Sequence, residues 1–350
     1  DAHNPSRRCP VKTKHLLLLF ALLPAIALMG CEGETGPAGP AGADGADGAD
    51  GANGMSPSVC MECHNDADDM QIQLEYAMSG HKEGLYVDYA GGRDSCSRCH
   101  SKQGFLRFAA GSEAEVIVDP AAIDCATCHI VHPDPAAFGV KMTGPVEMIY
   151  DPTYMLDFGD VSNLCANCHQ SRRAEPNIAA PADSFEITST HYGPHHGAQA
   201  NVLEGVGFAE IPGSTAYPTS SLHLTQGATC VTCHVEYYED GQGGHTFSPA
   251  LAACNDCHFS PDEDFDHGGV QTENHAKLEE LRDLLVGLGV VEQDPEDMSY
   301  HPVVGTYPMV QAQAFFNWIG LEEDRSLGAH NPAYFEALLD NSIEALTPAP

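Results

Sequence analysis

Twelve of the fourteen cysteines in this 350-residue chain lie in six copies of one pattern, Cys-X-X-Cys-His. The copies are Cys60–His64, Cys96–His100, Cys125–His129, Cys165–His169, Cys230–His234 and Cys254–His258. The other two cysteines, Cys9 and Cys31, lie near the N-terminus, so the body of the chain has no cysteine outside the pattern. A histidine directly after every second cysteine narrows the chemistry that these residues can serve.

Covalent haem attachment explains both the spacing and the histidine. Two cysteines three residues apart reach both vinyl groups of one haem, and the adjacent imidazole lies beneath the iron as its proximal ligand. Disulfides do not require the histidine, and closed four-ligand zinc sites leave it unexplained. We therefore predict six haem c groups. The predicted attachment residues are Cys60, Cys63, Cys96, Cys99, Cys125, Cys128, Cys165, Cys168, Cys230, Cys233, Cys254 and Cys257, and the proximal ligands are His64, His100, His129, His169, His234 and His258.

The composition argues against an ordinary hydrophobic core. Aromatic residues make up 7% of the chain, Trp318 is its one tryptophan, and 34 glycines and 24 prolines favour loops over long regular elements. With six motifs in the chain, the haems themselves are expected to fill much of the interior. The predicted fold is mainly α with much irregular loop and few or no β-strands, organised compactly around six covalent haems.

The C-terminal part, residues 270–350, has a different pattern from the haem-motif region, residues 60–258. Leucines at positions 278, 281, 284, 285 and 288 recur at helical spacing. A second helix is predicted over 309–319. A third is predicted from Pro332 to Leu346, because Asn331 can cap it and Pro332 suits its first turn. These helices are expected to cover the part that carries the motifs.

Residues 1–30 have the layout of a secretory signal. Four basic residues precede an apolar run from Leu16 to Met29, which is too short for a membrane-spanning helix. The run ends Leu28-Met29-Gly30-Cys31, which resembles the lipobox of bacterial lipoproteins and predicts lipidation of Cys31. An ordinary signal peptide with an incidental cysteine is the alternative.

Residues 31–54 are predicted to link a lipid anchor to the haem domain at 55–350. Glycine occupies every third position from Gly33 to Gly54. This collagen-like register is compatible with a triple helix, but so few triplets favour an extended, solvated spacer.

The net charge of −35 disfavours nucleic acid as a partner, because both surfaces are anionic. Cationic, metallic or protein partners are expected instead.

Several segments resemble those of bacterial multihaem c-type cytochromes from respiratory and metal-reducing chains. They are Ser79-Gly80-His81, HYGPHHGAQANVLEG from His191, SSLHLTQGATCVTCH from Ser220, GGHTFSPALAACNDCH from Gly243, and FNWIGLEEDRSLGAHNPAYFEALL from Phe316. The resemblance implies extracellular or periplasmic electron transfer. It also implies that the histidine of each segment is a distal iron ligand. This nominates His81, His223, His245, His330 and one of His195 or His196, of which His196 is preferred.

His132 is nominated as the sixth distal ligand. If His129 and His132 share one helical turn, their rings lie on the same side and cannot bind opposite faces of one haem. His132 would then reach a neighbouring haem and hold two haems in close contact. His191, His267, His275 and His301 are expected to lie at the surface or beside the ligands.

Haem irons that have histidine ligands on both sides favour electron transfer over catalysis. No Cys-X-X-Cys-Lys motif of the ammonia-forming nitrite reductase type occurs, and six proximal and six distal histidines leave no open iron for a substrate. We expect a lipid-anchored outer-membrane protein, on the periplasmic or cell-surface side. It would pass electrons to other cytochromes, an outer-membrane conduit, a metal oxide or a soluble acceptor. The alternatives are a nitrite- or hydroxylamine-type reductase with one open haem, and a homo-oligomeric cytochrome filament.

Overall fold

The computed structural model describes residues 68–131, 139–176, 182–237, 243–255, 257–258 and 264–348. These residues all belong to one unit, Met55–Pro350. The predicted signal sequence, Cys31, the glycine-rich spacer, the first motif (Cys60, Cys63 and His64) and His132 lie outside the described residues.

Short helices joined by loops make up the motif-bearing part of the chain, up to His258. They are α1 Asp68–Ala77, α2 Gly80–Glu83, α3 Asp94–His100, α4 Lys102–Ala109, α5 Cys125–Cys128, α6 Asn163–Ala166, α7 Gln199–Glu204, α8 Leu222–Thr225, α9 Cys230–His234 and α10 Ala252–Asn255. A π-helical turn covers Val87–Gly91, and a 3₁₀ turn covers Gly244–Thr246.

The β-structure consists of three two-stranded antiparallel sheets among the described residues. Strand β1 (Val146–Glu147) pairs with β2 (Met155–Leu156), and β4 (Val291–Gln293) pairs with β5 (Tyr300–Pro302). Strand β3 (Ser184–Ile187) pairs with β6 (Gly305–Pro308), which ties the motif-bearing part to the C-terminal part. The predicted class, mainly helical with much loop and few strands, is confirmed.

Three longer helices follow at the C-terminus. They are α11 Val270–Gly287, α12 Met309–Asp324 and α13 Pro332–Leu346, with a 3₁₀ turn at His267–Gly269 before α11. The Asn331 side chain accepts a hydrogen bond from the Tyr334 N–H at 3.3 Å, so this helix begins with the predicted cap. The second helix extends five residues beyond the predicted end at Ile319 and closes at Arg325, which has a left-handed φ of 61°.

An ordinary side-chain core forms around these helices, so the prediction that side chains would not build one is wrong for this part. Phe315, Phe316 and Trp318 on α12 pack with leucines of α11 and α13. Asn317 is fully buried and bonds both the N–H and the C=O of Ala209, at 2.9 and 2.8 Å. The chain has few aromatic residues, but enough of them lie in these C-terminal helices to form a core.

A matched pair of leucines at the C-terminal end of α11 tests this core. Leu285 is fully buried, whereas Leu288, just beyond the helix end, is 43% exposed. Leu285→Ala is expected to lower the free energy of unfolding by about 2–5 kcal/mol through lost burial and a residual cavity. Leu288→Ala should change it by less than about 1 kcal/mol. Urea unfolding followed by far-ultraviolet circular dichroism measures both, and equal losses would contradict the assigned packing.

Within the described residues, no helix combines the length and the apolar character that crossing a membrane requires.

Candidate haem-binding site

Each described Cys-X-X-Cys-His motif lies on or beside a short helix. In α3, α5 and α9 both cysteines of the motif are helical, and residues three apart share one helix face, so their thiols point to the same side. In α5 a capping box between Asp124 and Thr127 fixes the start of the turn, and Thr229 and Thr232 do the same for α9. The eight thiols of the motifs between residues 96 and 233 form no disulfide among the described residues. They are therefore available for covalent attachment.

A second histidine ring lies opposite the histidine of every described motif. The ring centroids are 6.0 Å apart in His100–His195, 6.1 Å in His129–His245, 6.1 Å in His169–His81, 6.4 Å in His234–His330 and 6.5 Å in His258–His223.

This spacing matches two axial ligands of one metal ion. A metal–imidazole bond of about 2 Å, with about 1 Å more to the ring centre, places two opposed rings about 6 Å apart. The residues present therefore fit a haem iron with one histidine on each face. Four of the five opposed histidines, His81, His223, His245 and His330, are those nominated from the sequence.

The second ring nitrogen of several of these histidines is held by an oxygen atom. Nδ1 of His234 lies 2.9 Å from the Phe247 carbonyl, and Nδ1 of His330 lies 2.7 Å from Asp324 Oδ1. Two longer contacts are His169 Nδ1 to Gln199 Oε1 at 3.2 Å and His223 Nδ1 to the His330 carbonyl at 3.3 Å. Such partners orient metal-binding imidazoles and leave Nε2 for the metal.

Burial keeps some of these imidazoles in the neutral form that binds metals. Burial, with a smaller effect of His169, lowers the pKa of His81 to about 4. Burial, followed by the positive charge of Arg172, lowers the pKa of His195 to about 4. Neither ring carries a proton charge near neutral pH, so no proton has to leave before a metal binds.

The structure brings His195, rather than the preferred His196, to the motif at Cys96–His100. His195 has a left-handed φ of 78°, and its ring lies 6.0 Å from that of His100. His196 has a side chain 71% exposed, with Nδ1 2.7 Å from Glu323 Oε1. This hydrogen bond raises the pKa of His196. The two candidates were indistinguishable in sequence because the backbone conformation at His195 decides which ring turns inward.

His267 lies closer to a motif than expected. Its ring centroid is 4.0 Å from that of His258, too short for two rings that bind one iron from opposite faces. His223, at 6.5 Å, fits that role. His275 lies on α11 near Glu279, and the His191 and His301 rings lie 6.5 Å apart.

His129 does not lie in a helical turn, which was the condition for placing its ring on the same side as that of His132. Helix α5 ends at Cys128, and His129 has an extended backbone (φ −101°, ψ 150°). His129 forms a β-bridge with Val140, and the Ile130 N–H donates to the Gly139 carbonyl at 2.7 Å. The premise that the rings share a helix face is therefore wrong. The role of His132, outside the described residues, stays a prediction.

One connected cavity of about 2580 Å³ runs past these motifs. Thiols and histidines of all five described motifs line it, together with apolar side chains such as Ile72, Phe105, Leu222 and Phe247. Single-ligand pockets usually measure about 300–1,000 Å³, so this space suits several large apolar groups side by side.

Thiols of different motifs meet at two places. Cys99 lies close to Cys168, and Cys165 and Cys230 form the second such pair. The first contact is reciprocal: Cys99 Sγ lies 3.9 Å from the Asn167 carbonyl and Cys168 Sγ lies 4.0 Å from the Arg98 carbonyl. Gly104 allows α4 to pack closely on α3, because a Cβ there would lie 2.2 Å from the Ser97 carbonyl oxygen. Motifs 96–100, 165–169 and 230–234 therefore form a continuous series.

No protein-family model and no curated protein matches the chain. Among solved structures, the crystal structure of the outer cell wall cytochrome OcwA matches with a TM-score of 0.52 and 19% sequence identity. The match covers 79% of this chain and 50% of the OcwA chain. The fold of this chain is therefore similar to that of the matched part of OcwA. The matched part of this chain thus spans about half the length of OcwA, and at this identity the likeness concerns the fold.

Sequence reasoning missed the residues that hold the ligands in place. Asp324, Gln199 and the Phe247 carbonyl contact ring nitrogens of three of these histidines. Asp324 is one of 50 acidic residues and has no distinguishing spacing, and a backbone carbonyl carries no sequence signal at all. Only the fold singles them out.

Proposed function

We propose that the chain is a multihaem c-type cytochrome whose six motifs hold six haems and transfer electrons among them. The observation that carries this proposal is the second histidine opposite every described motif histidine, at 6.0–6.5 Å. When bound, haem c supplies reversible one-electron transfer at iron. The protein supplies covalent attachment, two imidazoles for each described site, and a shared apolar interior.

The proposed distal ligands are His81 for the site of His169, His195 for His100, His223 for His258, His245 for His129 and His330 for His234. His195 thus replaces His196 in the proposed set. For the motif of His64, His132 remains the proposed partner.

Two imidazoles at each described site favour a carrier over a reductase, because an iron held by both would have no position left for a substrate. We propose an exported location, with the Cys31 lipid anchor in the outer membrane. The chain would receive and pass electrons through other cytochromes or an extracellular acceptor. The large negative charge supports a partner with a complementary basic surface.

The decisive measurement is a haem count combined with a spin-state count on the purified, fully loaded protein. Intact-mass spectrometry and the pyridine haemochrome assay should give six haems per chain. Electron paramagnetic resonance should show low-spin ferric iron, and carbon monoxide should not bind the reduced protein. One high-spin haem that binds carbon monoxide would instead support the reductase alternative. Regular fibres in electron micrographs would support the filament.

A further inference from the structure

The three motifs joined by thiol contacts carry opposite charges at their two ends. The middle motif, 165–169, touches the motif at 96–100 through Cys168 and the motif at 230–234 through Cys165. The shortest route for an electron between the two end motifs therefore passes through the middle motif. The charges next to the two end sites then decide in which direction the transfer is downhill.

A buried carboxylate lies at the 230–234 end. The Asp324 side chain is fully buried, and its Oδ1 lies 2.7 Å from Nδ1 of His330. The Ser326 hydroxyl donates to the other carboxylate oxygen, which fixes the side chain in this orientation. A carboxylate that accepts the Nδ1 proton makes the imidazole a stronger electron donor to a metal at Nε2. Stronger donation stabilises ferric iron and lowers the reduction potential.

Arginine side chains lie at the 96–100 end. Arg172 Nη1 is 3.4 Å from His195 Nε2, so the guanidinium would have to move aside for that nitrogen to bind iron and would stay beside the site. The positive charges of Arg172 and Arg98 also lie near the Cys99 thiol. The Arg98 guanidinium lies over the Phe108 ring at 3.6 Å. A fixed positive charge near an iron favours the ferrous form and raises the reduction potential.

Acidic neighbours offset these arginines only in part. Glu323 contacts Nδ1 of His196, the neighbour of the proposed ligand His195, at 2.7 Å. The negative charge of Glu147 interacts electrostatically with the Arg98 guanidinium. No acidic side chain at this end contacts a ring nitrogen of His100 or His195 among the described residues, in contrast to Asp324 at the other end.

We propose that these charges make the 230–234 site the low-potential end and the 96–100 site the high-potential end of the series, so that electrons run from Cys230 towards Cys99. This inference rests on the proposed function. Each transfer oxidises one ferrous iron and reduces one ferric iron, with no bond broken and no proton released. Asp324 acts through His330 as a positioning residue.

The test is a redox titration of the fully loaded protein, resolved by the paramagnetic resonance signals of the individual haems. In Asp324→Asn, one haem should shift to a more positive potential by at least 59 mV, which is about a tenfold change for one electron. Arg172→Gln should shift a different haem to a more negative potential. Asp283→Asn is the matched control, because it removes the same charge from a side chain that is 70% exposed on α11.

Asp324→Glu keeps the carboxylate and should restore part of the low potential. If Asp324→Asn does not load haem, Arg172→Gln tests the other end independently. Equal shifts in Asp324→Asn and Asp283→Asn, or a positive shift in Arg172→Gln, would overturn the gradient. If either result occurs while the number of haems and their low-spin state are unchanged, the gradient is wrong and the proposed function still holds. If the unmutated protein carries fewer than six haems, the proposed function itself is contradicted.

Discussion

His195→Ala is expected to convert one low-spin haem of the loaded protein to high spin, while His196→Ala leaves every haem low-spin. The reason is geometric: the His195 ring is 6.0 Å from the motif ring of His100, whereas His196 contacts Glu323. Loss of the distal imidazole leaves five-coordinate iron, which binds carbon monoxide when reduced. Absorption and paramagnetic resonance spectra, with and without carbon monoxide, measure the change.

The two variants form a matched pair, because they remove the same side chain from adjacent positions. Both histidines also line the same cavity, so a general disturbance of the cavity would affect both variants. A high-spin signal in His196→Ala alone would show that His196, the preferred candidate from the sequence, is the ligand. Entirely low-spin spectra in both variants would mean that another group binds this iron.

The double variant Cys165→Ser, Cys168→Ser should lose one haem and divide the electron-transfer series. Cys168 and Cys165 provide the contacts to Cys99 and Cys230, so the middle site is the shortest connection between the two ends. We expect the haem-to-protein ratio to fall by one. When the protein is partly reduced in a rapid-mixing experiment, electrons should redistribute among the haems of the variant in two slow, separate kinetic phases. In the unmutated protein they should redistribute in one phase.

The matched control is Cys254→Ser, Cys257→Ser, which also removes one haem. Cys254 lies near Cys233, so the 254–258 motif lies beyond the 230–234 end of the three-motif series and outside the route between Cys230 and Cys99. The remaining haems should still equilibrate in a single phase. Divided kinetics in the control, or undivided kinetics in the Cys165/Cys168 variant, would contradict the proposed order.

Local sequence signals predicted much of the helical structure. The capped start at Asn331 and Pro332 and the leucine spacing on α11 depend on residues a few positions apart, and both predictions are confirmed. The extension of α12 to Asp324 was not predicted. Residues 320–324 carry three acidic side chains, which suggest exposure, yet Asp324 itself is buried against His330.

The side-chain core was underestimated because composition averages over the whole chain. Aromatic residues are few overall, but Phe315, Phe316, Trp318, Tyr334 and Phe335 are concentrated in two helices that pack together. Density of apolar residues in a local region, rather than in the chain, decides whether a core forms.

The sequence by itself determined the attachment chemistry, since two thiols and an imidazole within five residues need no tertiary contact to define a haem motif. Only the tertiary structure decided which histidine lies opposite which motif. The opposed rings come from residues as far apart as His129 and His245, and neither spacing nor composition encodes such pairs. The choice of His195 over His196 and the approach of Asp324 to His330 have the same origin, because each depends on backbone direction and burial that arise when distant segments pack.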